Sequence, residues 1–221
     1  MLFKDRREAG SQLASKLTQY QGLKNVIVLG LARGGVVTAA EVADALHAPL
    51  NVIVVRKIGA PDNEELALGA IAEHGEGIFN EELIGLLGVS PHYLQREVER
   101  QKLILKSRLD LYRGSAPAPE LKGKVVILVD DGIATGASMR VAIQSLRQAG
   151  VKKLVMAVPV AAPDSLERIA QEVDETVCLA SPHQFGAVGF FYRSFEQTSD
   201  EEVVRLLARH PGDISRDYCD T

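Results

Sequence analysis

Two adjacent carboxylates, Asp130 and Asp131, follow the apolar run Val125-Val126-Ile127-Leu128-Val129 and precede Gly132-Ile133-Ala134-Thr135-Gly136-Ala137-Ser138. Acids accept hydrogen bonds, whereas small residues let backbone N–H groups reach an anion closely, with the Thr135 and Ser138 hydroxyls to assist. A ligand carrying both a sugar and a phosphate reconciles the two. In a ribose 5-phosphate group the vicinal hydroxyls donate to the acids and the phosphate sits in the loop. The apolar run does not alternate, which suits a parallel strand covered by helices on both faces. Ligands of open α/β sheets bind outside the carboxyl ends of such strands, where the acids fall. A helix starting near Ala137 or Ser138 adds the positive end of its dipole. A buried strand ending in an Asp-Gly turn is the plainer reading, but it does not require Thr135-Gly136-Ala137-Ser138. A P-loop is excluded, because G-x-x-x-x-G-K-S/T does not occur in the chain.

Ile127 to Ser138 resembles the signature of the type I phosphoribosyltransferases: a hydrophobic strand, two acids and a T-G-x-S/T loop. Phosphoribosyl pyrophosphate synthases and some regulators share it. The R-K-x-G-A-P stretch at Arg56 to Pro61 and the F-x-A-V-G-x-x-Y stretch at Phe185 to Tyr192 extend the resemblance to a subgroup whose acceptor is unknown. The resemblance implies transfer of a phosphoribosyl group from phosphoribosyl pyrophosphate to a small-molecule nitrogen nucleophile, with pyrophosphate leaving. It makes Asp130 and Asp131 the ribose ligands and Ile133, Ala134, Thr135, Gly136, Ala137 and Ser138 the phosphate loop. Ala32, Arg33, Gly34 and Gly35 take the place of the pyrophosphate loop, and Arg56 and Lys57 bring cations to the departing pyrophosphate. A hood over residues 181–198 covers the base, with Phe185, Val188 and Tyr192 as base-site residues. Mg2+ is expected to be held mainly by substrate oxygens, with no direct protein ligand. Ala134 stands where the 6-oxopurine salvage enzymes carry an aspartate, which speaks against hypoxanthine or guanine. The rival is a regulator that keeps the phosphoribosyl pyrophosphate site as a sensor without catalysis. Plainer readings accompany each motif: a tight turn at Arg33, a solvent-facing Arg56-Lys57 pair, and hood aromatics that only pack a loop on the core. Gly30 to Gly35 is not a dinucleotide fingerprint, since the spacing is not G-x-G-x-x-G and the next strand ends in Arg56.

The elements that position these residues alternate between strand and helix. Ala9, Leu13, Leu17 and Tyr20 give an amphipathic first helix ended by Gln21-Gly22, with Arg6, Arg7 and Lys16 on its solvated face. Strands are expected at Val26–Leu29 and Asn51–Val55, with a helix from Val36 to Leu46 between them. Ile58 to Glu65 reads as a mobile polar connection, followed by short strands at Leu66–Ala72 and Gly77–Phe79 around the turn His74-Gly75-Glu76-Gly77. Residues 81–113 are a helical insertion with Ser90 as N-cap, Pro91 at the first position and Leu94, Val98, Leu105, Leu109 and Tyr112 as its stripe. Arg96, Glu97, Glu99, Arg100, Lys102 and Lys106 are its solvated face. This insertion covers the loop or makes a subunit contact in a homodimer. Gly114 to Pro119 is a flexible connection. A helix over Met139–Ala149, a strand at Leu154–Val158 closed by Pro159, a helix over Pro163–Gln171 and a strand at Thr176–Ala180 complete the sheet. Ser199 to Arg209 forms a last helix, with Ser199 and Glu202 as a capping box, and the chain frays from Pro211. The expected fold is α/β, a doubly wound parallel sheet flanked by helices, with residues 1–221 as one domain.

Composition excludes several other classes. Of the 221 residues 46% are hydrophobic and 24% charged, the net charge is −4 and no long basic block occurs, so nothing suggests a nucleic-acid partner. The five histidines lack metal-binding spacing, and Cys178 and Cys219 form neither a metal motif nor a disulfide framework. No apolar run reaches the ~20 residues of a membrane span and the start lacks a signal region, so a cytoplasmic protein with no membrane partner is expected.

Overall fold

The computed structural model describes residues 2–74, 77–114 and 116–210. Along the chain lie α1 (Arg6–Ala14), β1 (Val26–Leu31), α2 (Gly34–Leu46), β2 (Leu50–Ile53), β3 (Val55–Ala60), β4 (Asn63–Ala72), β5 (Ile78–Phe79), α3 (Glu81–Leu86) and α4 (Pro91–Arg113). They are followed by β6 (Val125–Val129), α5 (Ala137–Gln148), β7 (Lys153–Val160), α6 (Pro163–Ala170), β8 (Glu175–Ala180) and α7 (Asp200–Ala208). The main sheet is parallel, in the order β2-β1-β6-β7-β8. The apolar runs of β1 and β6 are explained by helices on both faces. Val26 and Val28 of β1 and Val125, Ile127 and Val129 of β6 join one core with α1, α2, α4 and α7. Ile27, Leu29, Val126 and Leu128 join the other with α5 and α6. The chain winds outward from β1 to β2, then returns to β6 on the other side of β1. That reversal leaves a crevice at the carboxyl ends of β1 and β6.

The expected parallel, helix-flanked sheet is present, and several local expectations need correction. The second strand ends at Ile53, and Val55–Ala60 belongs to a separate three-stranded antiparallel sheet, β3-β4-β5. Residues 58–65 are therefore not a loose connection: Ile58 pairs with Gly69, Gly59 with Ala67 and Ala60 with Asn63, across two irregularities in register. Pro61 and Asp62 make the turn, while Gly59 sits where a Cβ would lie 2.8 Å from the Glu64 backbone. Pro159 lies inside β7 rather than closing it. The β6–β7 ladder ends at Ala157, so the missing N–H at 159 costs no bond to β6. The first helix ends at Ala14, and Leu17 and Tyr20 are buried through a following single turn.

Ser90 caps α4 as expected, accepting from the Tyr93 N–H at 3.2 Å with Pro91 in the first turn. Yet Glu97 is buried, not solvated, because α4 lies across β3 and against α7 with Glu97, Gln101, Leu105, Leu109 and Tyr112 inward. Ser199 accepts from the Glu202 N–H, but the Glu202 carboxylate faces Arg7. The hood is tied to the chain start: Phe3 N–H donates to the Phe191 carbonyl, and Arg193 N–H donates back to that of Phe3. Cys178 on β8 is partly buried and packs against the core under α5 and α6. Gly75 and Glu76 of the expected turn, Ser115 of the connection, Cys219 and the end from Pro211 that was expected to fray lie outside the described residues. Among the described residues no helix is long and apolar enough to cross a membrane.

Candidate active site

β6 delivers Asp130 and Asp131 to the crevice. The Asp131 N–H donates to Asp130 Oδ1 at 2.8 Å, and Arg6 Nε donates to Asp131 Oδ2 at 2.6 Å, with both side chains of that ion pair under 15% exposed. Arg6 is thus no part of a solvated face. Its second arm donates to the Glu196 carbonyl at 2.7 Å, and its guanidinium lies 3.8 Å over the Phe195 ring. Burial pushes the Asp130 carboxyl well above the usual carboxylate range, and the charge of Asp131 pushes it further. Burial also raises Asp131, but Arg6 opposes the rise. Asp130 is therefore the harder of the two to ionise, and Arg6 favours the charged form of Asp131.

The loop after β1 presses against this pair. A Cβ on Gly34 would overlap Asp131 Oδ2 and lie 2.9 Å from Arg6 Nε. One on Gly35 would lie 2.8 Å from both Asp130 Oδ1 and the Val129 carbonyl. Only glycine fits at either position. The Ala32–Arg33 peptide is cis, and Ala32 N–H donates to the Ile53 carbonyl at 3.0 Å. Arg33 is held by α7, its Nη1 standing 3.6 Å from Asp200 Oδ1, and the Tyr112 hydroxyl donates to that same oxygen at 2.5 Å.

The loop after β6 enters α5 through Gly136, whose φ of +76° is a left-handed conformation that glycine adopts freely. Ala134, Thr135, Ala137 and Ser138 are exposed around a cavity of about 170 Å³ that also touches Asp130 and Val188. Ile133 anchors the loop rather than facing the cavity with free backbone. Its N–H donates to the Val160 carbonyl, and its own carbonyl accepts from Ala162. Ser165 of α6 donates to the Ala134 carbonyl at 2.7 Å.

Arg56 and Lys57 sit on β3, not on a loop, beside a cavity of about 330 Å³ that reaches Ser138. Arg56 Nε donates to Gln101 Oε1 at 3.0 Å, Gln101 donates to Glu97 at 2.8 Å, and Arg100 grips both oxygens of Glu97. Burial lowers the Arg56 pKa, and the nearby Arg108 and Arg100 charges add to the effect.

The three hood residues separate by role. Val188 places its methyls over Gly132 at the cavity edge. Phe185 is buried against Phe191, and Tyr192 is buried between Phe3 and Phe195 with its hydroxyl donating to the Asp131 carbonyl at 2.6 Å. Burial, with Asp131 next, raises the Tyr192 phenol. The latter two brace the site without facing the cavity. Sequence reasoning missed Arg6, Gln101 and Asp200, whose only signals are contacts across 125, 45 and 88 residues. Among the described residues no three His, Cys, Asp or Glu side chains form a metal cluster.

Residues 4–194 match the family model described as a phosphoribosyl transferase domain. Two Mycobacterium tuberculosis proteins, of strains CDC 1551 and H37Rv, are provisionally named phosphoribosyl transferases. They are 47% identical over 215 residues, 97% of this chain and 48% of theirs, so the chain spans about half the length of these curated relatives. The uracil phosphoribosyltransferase of Aquifex aeolicus is 32% identical over 92 residues, 42% of this chain and 38% of that one. The crystal structure of TT1426 from Thermus thermophilus superposes with a TM-score of 0.81 at 45% identity, covering 96% of this chain and 100% of that one. With the acid pair, both glycine loops and the switch-point crevice in place, the chain belongs to the phosphoribosyl transferase family.

Proposed function

We propose that the chain transfers the phosphoribosyl group of phosphoribosyl pyrophosphate to a nitrogen nucleophile, a nucleobase in the first instance, and releases pyrophosphate. The observation that carries this reading is the packing of the Gly34-Gly35 loop directly on Asp130 and Asp131, which supports a pyrophosphate loop lying beside the ribose-binding acids.

In the reaction the bond from ribosyl C1 to the pyrophosphate oxygen breaks and its electron pair leaves with pyrophosphate. The lone pair of the acceptor nitrogen forms the new C1–N bond, and that nitrogen gives up its proton. Positive character develops on the ribosyl ring on the way. Asp131, whose charged form Arg6 favours, accepts from the ribose hydroxyls and opposes that charge. The backbone of Thr135 to Ser138 and the α5 amino terminus take the 5-phosphate. The loop amides at Ala32 to Gly35, with Arg33, Arg56 and Lys57, meet the growing charge of the leaving group, where they lower the barrier more than they stabilise bound substrate.

Mg2+ suits this donor set as a substrate-held ion: two carboxylates, one already committed to Arg6, do not make a cage of protein ligands. When bound, it supplies charge neutralisation of the pyrophosphate. No carboxylate stands at Ala134, and its carbonyl is occupied by Ser165, which supports an acceptor other than hypoxanthine or guanine.

The test is a pyrophosphate-release screen over nucleobases and small amines with phosphoribosyl pyrophosphate and Mg2+. Release with one acceptor is expected. Binding of phosphoribosyl pyrophosphate without release for any acceptor would replace the enzyme with the sensor.

A further inference from the structure

α4 carries Gln101, Leu105, Arg108 and Tyr112 at spacings of four, three and four, so all four share one face. The first and last of them are fastened to the cations assigned to pyrophosphate. Gln101 holds Arg56 at 3.0 Å, and Tyr112 holds Asp200, which stands 3.6 Å from Arg33. From Gln101 to Tyr112 the helix axis advances about 16 Å at roughly 1.5 Å per residue, and Arg108 lies between the two anchors. Arg108 is half-buried, and among the described residues nothing accepts a hydrogen bond from it.

Its charge is felt at both ends. Burial, then Arg108 and Arg100, lowers Arg56, while Tyr112 first, then Arg33 and Arg108, holds the Asp200 carboxyl below its usual range. Glu97 is already committed to Arg100 and Gln101, so Asp200 is the carboxylate left to face Arg33 and Arg108. Two guanidinium groups, Arg33 and Arg108, thus face one carboxylate, and Arg108 also acts on Arg56, so this stretch of the site is short of negative charge.

We propose that Arg108 is a third pyrophosphate-binding cation, supplied by α4, and that Asp200 stands in for pyrophosphate as the partner of Arg33 when the site is empty. This rests on the phosphoribosyl pyrophosphate reading. On it, the 81–113 insertion brings charge to the leaving group and fixes Arg56 through Gln101.

Calorimetric titration of the full chain with magnesium pyrophosphate and, separately, with ribose 5-phosphate tests both readings apart. In Arg108→Gln the pyrophosphate affinity should fall about tenfold or more, the loss expected for a charge-assisted contact, while ribose 5-phosphate binds as in wild type. Arg108→Lys should be intermediate, which keeps the test open if the glutamine variant does not fold. Lys106→Gln, the same loss of charge from the exposed face of α4, should change neither affinity. Unchanged pyrophosphate affinity in Arg108→Gln overturns the assignment of Arg108 and leaves the parent reading standing. An equal loss for both ligands also overturns it, as general damage to the site. Wild-type protein that binds neither ligand overturns the parent reading, and the proposal with it.

Discussion

Asp130 is half-buried beside another carboxylate, and desolvation and that neighbour push its pKa well above that of a free side chain. Because its pKa is raised in the fold, the stabilising contribution is full below the unfolded value and is lost as pH rises through the folded value. Asp130→Asn should therefore raise the melting temperature of the ligand-free protein at neutral pH, by on the order of 2–4 °C for each kcal/mol relieved. It should also flatten the decline of melting temperature between mildly acidic and neutral pH. A lower melting temperature across that range would contradict the burial argument. Arg6 has the complementary part: Arg6→Gln removes the cation that opposes the rise in the Asp131 pKa, so the pH profile of phosphoribosyl pyrophosphate binding should move upward. A profile unmoved in Arg6→Gln would make the ion pair merely structural. The sequence offered no local cue for Arg6. Arg7 and Lys16, grouped with it by spacing, are more exposed, and its partner lies 125 residues further on. Asp130, Asp131 and Thr135 to Ser138 were legible because one strand–loop–helix unit holds them all.

At the scale of elements, the β3–β4 hairpin and α4 hold Arg56 in place. Gly59, Pro61 and Asn63 suggested a mobile loop, since each is a common turn residue, but cross-strand pairing and the buried stripe of α4 hold this segment in a sheet. Turn chemistry was read correctly at Pro61-Asp62 and then extended over strand residues on either side. Glu97 was misread, and Gln101 passed over, for a related reason: polar residues on a helix look solvated unless a buried partner is known. Gln101→Leu leaves Arg56 and Glu97 without that bridge and should destabilise the fold by about 1–3 kcal/mol, the cost of buried groups left unpaired. Urea denaturation measures this, and a change below about 0.5 kcal/mol would show that the network is idle.

The whole molecule puts the site where the sheet order reverses. β1 and β6 are neighbours in space though separated by nearly a hundred residues, and their following loops interlock through Gly35 and Asp130. Gly35→Ala meets the Val129 backbone as well as a carboxylate, so no side-chain movement relieves it. A loss of about 1–3 kcal/mol of stability, together with loss of ligand binding, is expected by urea denaturation and calorimetry. Wild-type stability in that variant would mean the loops do not pack as described. Strand and helix order could be read from the apolar runs and their caps. Strand neighbours and the seat of α4 could not, because they are decided by long-range packing that local pattern does not encode. The central claim is that this interlocked crevice binds phosphoribosyl pyrophosphate. The most direct measurement is calorimetric titration of that compound, with Mg2+, into the wild type and into Asp130→Asn with Asp131→Asn. Saturable binding by the wild type, weakened at least tenfold in the double variant, is predicted. Equal affinity in both, or no binding by either, would contradict it.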